Sequence, residues 1–140
     1  MDFIVDRETK NLPKSHYYGD TVRRLLIAGG TIMIVTLPFF GELIPVPLVV
    51  SILAIVVVGV VSGLINPRQK WTSTLDFAIS IIGFICFEYL AANTYASDGE
   101  YFRSLFFWTN QTLAIIFFIA TYYGVKTLRG FYINKNNLDL

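Results

Sequence analysis

Two carboxylates, Asp76 and Glu88, stand inside stretches of the chain that are otherwise apolar. An acid buried among aliphatic side chains costs about 2–3 kcal/mol on membrane-insertion scales, so such a residue is a candidate site for a proton, a cation or a small solute. Glu88 lies between Phe87 and Tyr89, and the following apolar stretch carries the polar run Thr109-Asn110-Gln111-Thr112. If these two stretches are antiparallel neighbours, Glu88 reaches the depth of Asn110 and Gln111. Their amides can bond a carboxyl group in either protonation state. Two uses fit this trio. One is polar glue between helices, the favoured reading. The other is a transport site for a proton, cation or small solute at Glu88 with Asn110 and Gln111.

Asp76 closes the pattern Ser73-Thr74-Leu75-Asp76. That spacing is a capping box, in which Ser73 accepts a backbone N–H and the acid reaches back to another. The acid would also meet the positive end of the helix, beside Arg68 and Lys70. Ser73 and Asp76 are therefore assigned to a helix cap. Asp76 and Glu88 are about 18 Å apart along a helix and about 120° apart around it, too far to act as one catalytic pair.

Other chemistries find little support. His16 and Cys86 are each alone in their type, so no intrachain disulfide and no His/Cys metal set is expected. No nucleophile–base pair or phosphate-binding loop is evident, so the expectation is a protein that is not an enzyme, with no cofactor and no metal. No basic fold points to nucleic acid. Asn110-Gln111-Thr112 matches a glycosylation sequon, but its place inside an apolar stretch makes the match accidental.

The elements that must position these residues are four apolar stretches, roughly Leu25–Phe40, Val46–Ile65, Leu75–Ala92 and Leu105–Val125. About 20 helical residues cross a bilayer core of about 30 Å. Only 15% of residues are charged and 54% are hydrophobic, too apolar for a water-soluble bundle with a polar stripe on every helix. The second stretch is rich in Val and Ile. It is still expected to be helical, because a helix in lipid satisfies its own backbone. The fold expected is all-α, a polytopic integral membrane protein with four transmembrane helices in an antiparallel up-down bundle. The spans are set at about 22–41, 46–65, 73–93 and 104–126, within a domain 22–128. A polar segment, 1–21, precedes that domain and a short tail, 129–140, follows it. Asp20 is expected to cap the first helix. Pro38 should bend or stop that helix, while Pro45 and Pro47 suit the start of the second.

Ten of the eleven Lys and Arg residues fall before the first span, between the second and third, or after the fourth; Arg103 is the exception. That asymmetry places both termini in the cytoplasm, in a cell membrane of the bacterial inner-membrane kind. The pair Arg23-Arg24 before Leu25 resembles a twin-arginine signal, but no cleavage site follows, so the first span is expected to stay as an anchor. Trp71, Tyr122 and Tyr123 on one side and Tyr95, Tyr101 and Trp108 on the other suit the two interfaces.

Gly59 and Gly63 form a GxxxG pattern in the second span, and Gly29-Gly30 interrupts the first. Small residues let helices in lipid approach closely. Packing within the chain is the favoured use, and a dimer face the other. The expected partners are the lipid bilayer and a second copy or a larger membrane complex. The function expected is that of a small structural, accessory or assembly subunit. An oligomeric transporter or channel protomer is the alternative.

Overall fold

The computed structural model describes residues 18–63, 70–96 and 101–138, without the side chains of 102 and 134–138. Among these residues it is all-helical. Helix α1 is Gly19–Phe40, α2 is Leu48–Gly63, α3 is Lys70–Tyr95 and α4 is Tyr101–Leu138. The connecting residues 64–69 with Arg68, the loop residues Asp98, Gly99 and Glu100, and the polar segment 1–17 with His16 lie outside the described residues.

Three of the helices, α1, α3 and α4, are long and apolar enough to cross a membrane. Their apolar surfaces lie largely on the outside of the bundle, as lipid rather than water would favour. The described part of α2 has 16 residues, fewer than the span 46–65 expected for it, and is nearly pure aliphatic. It is helical despite its Val and Ile content, because strand preference reflects packing on a pleated surface that is missing here.

Helix boundaries correct the expected ones in two places. Tyr18, not Asp20, precedes α1, and no side chain caps it; Asp20 lies in the first turn, where its charge meets the helix dipole. Pro38 sits inside α1, and the helix stops two residues later at Phe40, in keeping with the expectation that Pro38 bends or stops it. Its ring removes the ladder hydrogen bond to the Ile34 carbonyl and crowds that carbonyl. The second correction is the larger. Helix α4 has 38 residues and continues to Leu138, through most of the expected tail 129–140. Its polar end is rich in Lys and Asn yet contains no proline to stop it. Lys70 Nζ at the start of α3 lies 4.4 Å from the Tyr132 ring, tying that extension back to the bundle.

The short connection after α1 makes α2 double back. Leu43 N donates to Phe40 O at 2.9 Å, and the Pro47 carbonyl accepts from Val50 and Ser51 as the first turn of α2 forms. Pro47 thus opens the helix from a position where its missing N–H is not needed.

The most extensive packing is between α3 and α4, followed by α1 on α4 and α1 on α2; α2 meets α3 only slightly. The core holds Val22, Leu26, Val58, Leu113, Phe117 and Ala120. Phe117 is its centre. A Cβ on Gly29 of α1 would lie 3.0 Å from the Phe117 ring, and one on Gly83 of α3 would collide with it. Two glycines on separate helices thus admit one aromatic ring. Gly30 packs toward Val58, and Gly124 of α4 receives Phe77 of α3.

Gly59 and Gly63 behave differently. A Cβ on either would meet nothing within 4 Å among the described residues. The favoured expectation of packing within the chain is therefore corrected: this edge of α2 faces outward, because α2 turns Val58, Val61 and Ser62 inward instead.

Candidate functional site

The polar residues gather at two levels. Toward the end of the bundle that holds the α1–α2 turn, Gln111 Nε2 of α4 donates to Glu88 Oε2 of α3 at 3.5 Å. Antiparallel packing and the similar distance of each residue from its helix end bring them level. Both lie on the outer surface of the chain, Glu88 exposed and Gln111 partly so. Asn110 does not join them. It is 3% exposed, and its Nδ2 donates to Phe106 O at 2.8 Å in its own helix. Adjacent helical residues point about 100° apart, so Asn110 turns inward where Gln111 turns outward. Thr109 and Thr112 likewise fold back, donating to Leu105 O and Trp108 O at 2.9 and 2.8 Å.

Asn110 borders an apolar cavity of about 330 Å³ between α1, α2, α3 and α4, with Phe40, Pro45, Val50, Cys86 and Phe106 among its walls. The cavity exists because α2 leans on α1 and leaves a gap toward α3.

The second level is at the opposite end, and the sequence reading treated it as a cap. Ser73 is not an N-cap, because the described helix already runs from Lys70. Its hydroxyl and Asp76 therefore lie beyond the first residues of the helix, and neither Ser73 Oγ nor Asp76 Oδ1 accepts from a backbone N–H among the described residues. This corrects the capping-box assignment of Ser73 and Asp76. Instead, Thr72, Ser73, Asp76 and Ser80 form a buried polar stripe on α3, at 0, 4, 3 and 0% exposure. Their spacing of three and four residues keeps them on one face. Ser80 Oγ donates to Asp76 O at 2.6 Å. Thr72 Oγ1, Ser73 Oγ and Asp76 Oδ1 have no hydrogen-bond partner among the described residues.

Arg23 of α1 is the charged neighbour. Its Nε donates to Ser62 O at 2.6 Å and its Nη2 to Gly63 O at 3.2 Å, so it closes the C-terminal end of α2. A cation on the last carbonyls of a helix also complements the negative end of the dipole. The same guanidinium charge acts on Asp76. Close by, Thr127 Oγ1 accepts from Tyr18 N at 3.3 Å, while the Tyr18 ring stacks on Tyr123 and lies 4.5 Å from Lys126 Nζ.

Sequence reasoning missed Arg23, Ser62 and Thr72. Arg23 was read as a charge before a span and as half of a twin-arginine pair, and its bond to residue 62 crosses a sequence separation of 39. The one available signal was the density of Ser and Thr at helical spacing around Asp76. Compared with known proteins, the chain matches no family model, no curated protein and no solved structure.

Proposed function

We propose that the chain is a structural or accessory subunit of the cell membrane that assembles with a second copy or with a larger membrane protein. In this reading all four helices span the membrane, with both termini in the cytoplasm, and the Glu88 level lies toward the outer face. The charge asymmetry of the connecting segments supports that orientation.

One observation carries the assembly reading: Glu88 and Gln111 sit on the outside of the bundle, with a 3.5 Å contact to each other. Polar groups at membrane depth ordinarily face protein or a water-filled cavity, and here their own chain does not cover them. A partner helix would bring donors and acceptors, at about 0.6–2 kcal/mol per interhelical hydrogen bond. The open Gly59–Gly63 edge offers a second surface for close helix contact. A solute site at Glu88 within one chain is less supported, since it would need the carboxyl to face inward with Asn110.

The test is the mass of the protein extracted in mild detergent and in lipid nanodiscs. The expected result is a species larger than the 15.8 kDa monomer, which falls to monomer in the double variant Glu88→Leu/Gln111→Leu with helix content retained. In a Cys86→Ser background, Ala92→Cys on the same exposed face of α3 should cross-link to the partner. A wild-type monomer with no partner in both media would sink the assembly reading.

A further inference from the structure

The apolar cavity beside Asn110 is not used by assembly at Glu88. Cys86 of α3 borders it, and Glu88, two residues on, points about 160° away around the helix. The buried part of its wall comes from α1 and α4, through Phe40, Phe106, Asn110 and Leu113. The exposed part comes mainly from α2 and α3, through Val50, Ala54, Cys86 and Tyr89. Its mouth therefore lies between those two helices, where packing is slight. In a membrane this mouth opens sideways into hydrocarbon, since Val49 and Leu53 of α2 and Ile82 and Ile85 of α3 are also exposed.

The wall narrows what the cavity takes. Among the described residues no Asp, Glu, Lys, Arg or His borders it, so no charge is there to hold an ion. Three of its polar groups are turned to their own helices. Thr36 Oγ1 donates to Ile32 O at 2.7 Å, Thr109 Oγ1 to Leu105 O at 2.9 Å and Asn110 Nδ2 to Phe106 O at 2.8 Å. Water needs about two to four polar partners, and apolar cavities of about 150 Å³ stay dry and take up apolar molecules. This one, at about 330 Å³, is larger and falls in the size range of ligand sites. Its walls from Met33 to Phe40 and from Phe106 to Leu113 each run about 10 Å along their helices, which makes it a slot parallel to the bundle axis. Met33 and Leu113 pack into the Phe117 core at one end, and Pro45 and Val46 are exposed at the other. A helix, about 10–12 Å across, is too wide for such a slot, whereas a single hydrocarbon chain is not.

We propose that this cavity is a lipid site that holds one acyl chain, with the methyl end against Met33 and Leu113 and the head group at the end that carries the α1–α2 turn. Lipid chains at the mouth already run alongside the helices, so the chain enters sideways between α2 and α3. Once inside, it touches all four helices and supplies apolar contact between α2 and α3, which meet each other only slightly.

The experiment is photolabelling of the full chain in phosphatidylcholine nanodiscs that contain a phosphatidylcholine with a diazirine near the methyl end of one chain. Adducts are mapped by peptide mass spectrometry. The expected map has adducts at Leu113 and Met33 as well as at lipid-facing residues of α4 such as Ile115 and Phe118. Leu113 is 2% exposed, so lipid around the bundle does not reach it, and the wild-type map decides the proposal even where a variant does not fold. Ala54→Phe at the exposed rim and Ser51→Phe farther in should each remove the Leu113 and Met33 adducts and leave those at Ile115 and Phe118. Adducts confined to exposed residues, or Leu113 adducts undiminished in both folded variants, would overturn the proposal. So would a Cys86–Cys86 disulfide formed by copper phenanthroline without Leu113 adducts, which would give the mouth to a second copy. Oligomer mass plays no part in the map, so its failure and the failure of the assembly reading can be told apart.

Discussion

Arg23 is the residue whose role depends most on the tertiary fold. Its two hydrogen bonds to Ser62 and Gly63 carbonyls supply what the sequence of α2 lacks, since no Lys, Arg or His stands in the last turn of that helix. Hydrogen bonds to charged groups contribute about 1.5–3 kcal/mol where partly buried, with a further fraction from the helix dipole. Arg23→Ala should therefore destabilise the protein by roughly 1–3 kcal/mol. The loss should be local, with amide exchange in the last turns of α2 accelerating more than in α4. Uniform acceleration across all helices would contradict a capping role. The pattern Ser-x-x-Asp at 73–76 illustrates what the sequence could not resolve. It matches a capping box wherever a helix happens to begin, and only the start of α3 at or before Lys70 shows that the pattern lies inside. Glu88 and Gln111 were legible because a depth argument needs only antiparallel neighbours. The separation of Asn110 from them was not, since it depends on how α4 is rotated about its axis.

At the scale of elements, the three long helices were readable from length and hydropathy, for lipid removes the need for a polar stripe. Their packing was less so. Paired glycines drew attention to Gly29, Gly30, Gly59 and Gly63, whereas single glycines opposite an aromatic ring, Gly83 and Gly124, carry no pattern of their own. Gly83→Ala tests this distinction. Alanine favours helices by about 1 kcal/mol over glycine, but its Cβ would collide with Phe117, and overpacking costs about 1–3 kcal/mol. The expected net result is reduced stability in a denaturant titration, restored by the second change Phe117→Leu. Gly59→Ala should leave the stability of the single chain unchanged or slightly higher, because its Cβ meets nothing. Equal losses at both glycines would refute the packing described. The extension of α4 past residue 126 was missed because its polar composition reads as a tail, although nothing in it breaks a helix.

For the whole molecule, the proposed topology has a direct test in reporter fusions. Alkaline phosphatase attached after Leu140 or before Met1 should be inactive, and phosphatase inserted at Asp98–Glu100 should be active. An active C-terminal fusion would reverse the orientation, and activity differing between the two ends would remove one span. Among the described residues the polar groups divide into an outward pair, Glu88 and Gln111, at one level and an inward stripe on α3 at the other.

The length of α4 has a mechanical side. Its 38 residues form a rod of about 57 Å, and Phe117, wedged against glycines of two other helices, is the point where that rod is most tightly gripped. From there to Leu138 is about 31 Å, so a tilt of about 5° at the grip would swing the tip by roughly 3 Å. The rod is thus a lever with its fulcrum in the apolar core and its longer arm running to Leu138, so a small tilt in the interior is enlarged at that end.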